Sequence, residues 1–204
     1  MIRIAHLADI HIRNAERHDE YKIIFKNIIL KLRELKPDYI IIAGDLFENY
    51  IEISNEAKII SGELLNALAN ICTVILIKGN HDIRKKNINR IDSIQAVVRL
   101  IKNPNVIYYS KTGHYPDAKT SNLNWVVYDH VDKITNPWDG VDKDPNKIYI
   151  GLYHDPVLNS TNDDGKVFNE KHRRSIEYFD LNDYLFLGDI HKRQFCRANR
   201  TAAY

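Results

Sequence analysis

Five places in the chain carry close groups of Asp, Asn and His, and each follows a short apolar run. They are Asp9-Ile10-His11, Gly44-Asp45, Gly79-Asn80-His81-Asp82, His154-Asp155 and Gly188-Asp189-Ile190-His191. Imidazole, carboxylate and amide oxygen suit divalent Mn, Mg, Fe or Zn better than a thiolate-seeking ion. Two such cations about 3.5–4 Å apart need a bridging carboxylate, terminal imidazole and carboxylate ligands, and a bridging water. In Asp-x-His both donors fall on one side of an extended turn, because alternate residues share a face. Glycine before Asp45, Asn80 and Asp189 lets the backbone turn sharply beside an ion. Each group alone has a plainer reading. Gly44-Asp45 could be a turn, Asn80-His81-Asp82 a helix cap, His154 a turn histidine and His11 a surface one. Five in succession at the ends of apolar runs are not explained that way.

The apolar runs are the elements that must position these donors. Residues 2–8, 39–43 and 73–77 read as strands, and 39–43 is apolar throughout, as for a strand buried on both faces. Between them, Tyr21, Ile24, Phe25, Ile28, Leu32 and Leu35 recur at helical spacing, as do Ala57, Ile60, Leu64 and Leu68. Pro37 ends the first helix, and 91–100 reads as a third. Strands alternating with helices make a parallel sheet. Residues 106–109, 124–128, 147–153 and 184–187 then read as strands with little helix between them. They suggest a second sheet, mixed and packed against the first. Functional groups in such sheets gather at the carboxyl ends of strands, where all five donor groups lie.

Composition sets limits. The chain has 204 residues, 44% hydrophobic and 27% charged, which excludes a disordered or fibrous protein. A formal net charge of +2 favours no partner by itself. Two cysteines far apart exclude a disulfide scaffold and a cysteine zinc ribbon, and fit a reducing compartment. Asp9, His11 and Arg13 come too early for a secretory signal, and no apolar run is long enough to span a membrane. A cytoplasmic protein with no membrane partner is expected.

In their order, the motifs DIH, GDLFE, GNHD, HD and GDIH resemble those of the calcineurin-like metallophosphoesterases, over 9–191. GDLFE and LGDIHKRQ look most like the SbcD-type nuclease subunit of double-strand-break-repair complexes. The resemblance implies a four-layer αββα sandwich, two mixed sheets face to face, with 1–204 as a single core domain. It implies that Asp9, His11, Asp45 and His191 hold one metal ion. Asp45 would bridge to a second, completed by Asn80, His154 and Asp189. His81 would sit over the scissile phosphate and act on the leaving oxygen, while a metal-bridging hydroxide attacks in line. Manganese is the first expectation, with Mg, Fe or Zn as alternatives.

Two positions depart from the family pattern. The last motif is usually Gly-His-x-His, and here Asp189 stands for the first His. Three carboxylates and one hydroxide then cancel two divalent cations, where the usual motif leaves one positive charge. That predicts a harder site, favouring Mn or Mg. Glu48 stands where His usually follows Gly-Asp-Leu-Phe, so a contact made from that position is not carried over. The nuclease subunits also continue into a capping domain that grips DNA and a tail that binds an ATPase. These regions are expected to be absent, and an SbcC-like ATPase is a partner only if the chain is a fragment. Strands following the last motif are expected to be short or missing.

Three basic runs qualify for phosphate contact: Arg84, Lys85, Lys86 and Arg90; Lys171 to Arg174; and Lys192, Arg193, Arg197 and Arg200. Arg13, Arg84 and Lys85 are the substrate-binding candidates. His6, His18, His114, His130 and His172 match no motif and read as structural, as do Trp125, Trp138 and both cysteines. The leading function is a metal-dependent phosphodiesterase that cleaves DNA. The alternatives are a phosphodiesterase or phosphatase acting on a nucleotide or phosphoprotein, and a non-catalytic scaffold.

Overall fold

The computed structural model describes all residues except 85, 88, 89 and 200. The chain forms two compact units, Met1–Tyr109 and Ser110–Tyr204.

The first unit alternates strand and helix: β1 (Ile4–Leu7), α1 (His18–Leu35), β2 (Tyr39–Ala43), α2 (Asn55–Ala69), β3 (Thr73–Ile77), α3 (Ser93–Ile101) and β4 (Val106–Tyr108). The strands lie in the order β1-β2-β3-β4, and every pairing is parallel. Strands β2 and β3 are buried at every residue, as their unbroken apolar sequences demand. Ile40, Ile42, Val74 and Leu76 share a core with Phe25 and Leu32 of α1, Leu64, Leu65 and Leu68 of α2, and Ile94 and Val97 of α3. Side chains cap two helices: Ser54 accepts from the Ala57 amide, and Asp92 from the Gln95 amide. Helix α1 closes at Lys36, whose left-handed φ of 48° precedes Pro37.

The second unit holds β5 (Gly113–Pro116), β6 (Leu123–Tyr128), β7 (Ile148–His154), a 3₁₀ turn (Ile176–Phe179), β8 (Tyr184–Gly188) and β9 (Ala202–Ala203). Their order is β5-β6-β7-β8-β9, with only β5 antiparallel to its neighbour. Trp138, Tyr128, Tyr153, Phe179, Leu185 and Leu187 fill its core. The mixed character expected of both sheets therefore holds for the second; the first is parallel throughout. Strand β5 was not legible in the sequence. Strand β9, two residues long, is the short strand expected after the last motif. Among the described residues, no helix is long and apolar enough to cross a membrane.

Candidate metal centre

Parallel register brings the carboxyl ends of β1, β2 and β3 side by side. Leu7 pairs with Ile42, and Ala43 with Ile77. The chain beyond β1 keeps bonding to the chain beyond β2. The amides of Asp9, His11 and Ile12 donate to the carbonyls of Gly44, Asp45 and Leu46 at 3.0–3.1 Å, and the Glu48 amide returns to Ile12 at 3.1 Å. Within this ladder Asp9, His11 and Asp45 are left-handed, with φ of 53°, 50° and 52°. Such a conformation costs an L-residue about 1–2 kcal/mol. Non-glycine residues hold it chiefly where the surroundings impose it, often at functional sites.

The third loop is fastened to the second by a buried carboxylate. Asp82 is fully buried and accepts from the amides of Gly79 (2.9 Å), Phe47 (3.2 Å) and Leu46 (3.4 Å), and from the Ser93 hydroxyl (3.3 Å). That clamp places His81 beside Asp45. The His81 amide donates to Asp45 Oδ1 at 2.8 Å. A ring nitrogen from each of His11 and His81 and a carboxylate oxygen of Asp45 lie within 4.8 Å of one another.

The imidazoles are oriented. His11 Nε2 faces Asp9 Oδ1 (3.8 Å) and Asp45 Oδ2 (3.7 Å), while its Nδ1 lies 3.0 Å from Glu48 Oε2. Burial pushes the His11 pKa below its ordinary value, against the pull of Asp45, Asp9 and Glu48. The neutral ring that this favours is the form that binds a metal. His81 Nδ1 lies 2.7 Å from the Glu48 carbonyl. A carbonyl only accepts, so the His81 proton is fixed on Nδ1, and Nε2 is the ring's other working atom. The His11 and His81 rings meet edge to face, with centroids 4.9 Å apart.

In the second unit, His154 closes β7 and is buried, in register with Gly188 at the end of β8. Asp189 follows Gly188, and one of its oxygens lies within 4.8 Å of a His154 ring nitrogen. Asp189 and His191 are left-handed, with φ of 68° and 63°. The tripeptide Asp-Ile-His thus occurs twice, at 9–11 and 189–191, each time at the end of a parallel strand and with both donors left-handed. This conformation is what the sequence could not show. His130, read as structural, is buried with its ring 5.9 Å from that of His154, a neighbour the motif pattern missed.

The basic candidates fare unevenly. Arg13 is paired with Glu16 at 3.3 Å. Arg84 is exposed and, with Tyr50, Asn87 and Arg90, lines a cavity of about 180 Å³. Lys85 and Arg200 lie outside the described residues. The two arginines of the run at 171–174 are not free for solvent. Arg173 pairs with Asp155 (2.9 Å) and Glu170 (2.8 Å), and the Arg174 guanidinium rests over Tyr178 (4.5 Å) and Tyr153 (5.2 Å). Trp125 and Trp138 are buried, with their indole N–H groups donating to Asp117 and the Tyr128 hydroxyl.

The chain belongs to the calcineurin-like phosphoesterase family, whose sequence pattern matches residues 2–193. An uncharacterized protein of Acanthamoeba polyphaga mimivirus is 38% identical over 98% of this chain, which spans 15% of that protein. DNA double-strand break repair protein Mre11 of Methanopyrus kandleri is 30% identical over 54% of this chain, which matches 25% of its length. Mre11 of Methanococcus maripaludis is 33% identical over 41% of this chain and 24% of its own. Among solved structures, a dimetal phosphatase from Danio rerio shares the fold at a TM-score of 0.61. It is 12% identical, over 99% of this chain and 85% of that one. The donor set fits divalent metals. Carboxylates and imidazoles predominate, no thiolate is among them, and the left-handed turns present Asp and His together.

Proposed function

We propose that this chain is the catalytic part of a metal-dependent phosphodiesterase acting on DNA. The carrying observation is the arrangement around Glu48. It sets a histidine of metal-ligand type and a second histidine, its outward nitrogen assigned, against one buried aspartate. In this reading Asp9, His11, Asp45 and Asn80 of the first unit would serve as ligands of divalent cations, as would His154, Asp189 and His191 of the second. When bound, the ions supply Lewis acidity at the phosphate and lower the pKa of a coordinated water. His81 contributes Nε2. With Nδ1–H held by the Glu48 carbonyl, that nitrogen meets the phosphate and, when protonated, gives its proton to the leaving oxygen. Arg84 and Arg90 offer cations to neighbouring phosphates of a strand. The two archaeal relatives named for double-strand-break repair support DNA as the substrate.

The test compares hydrolysis of bis-p-nitrophenyl phosphate with that of p-nitrophenyl phosphate in Mn²⁺. Preference for the diester is the expected result. Preference for the monoester would contradict the nuclease reading and favour a phosphatase of nucleotides or phosphoproteins.

A further inference from the structure

We infer that Glu48 is the positioning residue of this site, its side chain orienting His11 and its main chain orienting His81. The inference rests on the metal-binding reading above and assigns a role to a position where the family usually has histidine. A metal-binding imidazole uses one nitrogen as ligand, and the hydrogen bond made by the other fixes tautomer and ring plane. The Glu48 carboxylate lies 3.0 Å from His11 Nδ1, nearer than Asp45 and Asp9 lie to Nε2 (3.7 and 3.8 Å), and this closer contact favours the proton on Nδ1. The main-chain carbonyl of the same residue takes the Nδ1–H of His81 at 2.7 Å. The residue is itself anchored, since its amide donates to the Ile12 carbonyl and so ties it to the strand end that carries His11. Histidine at position 48 would bring no negative charge to His11 and could accept only through a neutral ring nitrogen. The carboxylate also makes His11 a more electron-rich ligand. Glu48 therefore acts through two histidines.

The test is calorimetric titration of Mn²⁺ into the chain and its variants Glu48→Ala and Glu48→Gln, without substrate. Outer-shell partners of ligating histidines typically change metal affinity by about 10–100-fold. A loss of that size is expected for Glu48→Ala, and a smaller one for Glu48→Gln, which keeps an acceptor oxygen without the charge. Long-range ¹H–¹⁵N spectra of the metal-free protein give the second readout. The His11 ring, assigned by its loss in His11→Asn, is expected as the Nδ1–H tautomer in the wild type and as a mixture of tautomers in Glu48→Ala. If Glu48→Ala does not fold, Glu48→Gln carries both readouts. Wild-type Mn²⁺ affinity together with an unchanged His11 tautomer would overturn the inference. Because neither readout uses DNA, failure of the DNA reading leaves this result standing. A wild type that binds no Mn²⁺ would contradict the metal reading, and the tautomer would still decide the role of Glu48.

Discussion

A Cβ atom placed on Gly79 would fall 2.0 Å from Oδ1 of Asp45 and 2.5 Å from its amide nitrogen. Residue 79 therefore has to be glycine for β3's loop to lie against Asp45. The same Oδ1 accepts the His81 amide, so displacing it moves both residues. Gly79→Ala is expected to cost about 1–3 kcal/mol, as overpacking in a filled interior does. It should also weaken Mn²⁺ binding, and urea unfolding with a metal titration checks both.

Asp82 is expected to matter for assembly of the site without touching a metal. Removing its carboxylate in Asp82→Ala leaves the amides of Gly79, Phe47 and Leu46 without their buried acceptor. A buried donor left unsatisfied costs about 1–3 kcal/mol. Asp82→Ala should therefore destabilise more than Gly79→Ala and blunt metal binding through the loops. Thermal melts of the metal-free protein, where ligand loss cannot contribute, check this.

Asp189 repeats the left-handed setting of Asp9 and lies by His154. If it ligates, Asp189→His removes one negative charge and supplies a softer donor. The metal preference should shift from Mn or Mg toward Zn. Competition between Mn²⁺ and Zn²⁺ in wild type and variant gives the answer, and unchanged preference would count against the charge argument.

Stability of the metal-free protein should fall in mild acid. Burial lowers the pKa of both His11 and His114 below the ordinary value of 6.5. The unfolded chain then binds protons that the folded chain refuses, so stability rises with pH across that interval. It is fully present above about 6.5 and lost as pH drops toward the folded values. His114→Gln removes one contributor and should flatten part of the slope. A melting temperature indifferent to pH between neutrality and mild acid would contradict this.

The sequence placed the Asp, Asn and His groups at strand ends, where the structure has them, because parallel register restricts where such groups emerge. It revealed β2 and β3 because burial on both faces leaves only apolar residues. It did not reveal β5, whose Gly-His-Tyr-Pro has no alternation and ends in proline. Nor could it show that Arg173 and Arg174 are absorbed by carboxylates and tyrosines, because those partners converge only in the fold. Glu48 looked like a departure from pattern. Its distances to two histidines follow from three strand ends meeting, which no local signal encodes.

The most direct test of the account is Mn²⁺-dependent degradation of end-labelled linear DNA by the wild type and by His81→Ala. General acid catalysis typically contributes about 10²–10⁴-fold. The expected result is degradation that requires Mn²⁺ and falls by that order in His81→Ala, with metal binding retained. Degradation by His81→Ala at the wild-type rate, or none by a wild type with its metals bound, would contradict it.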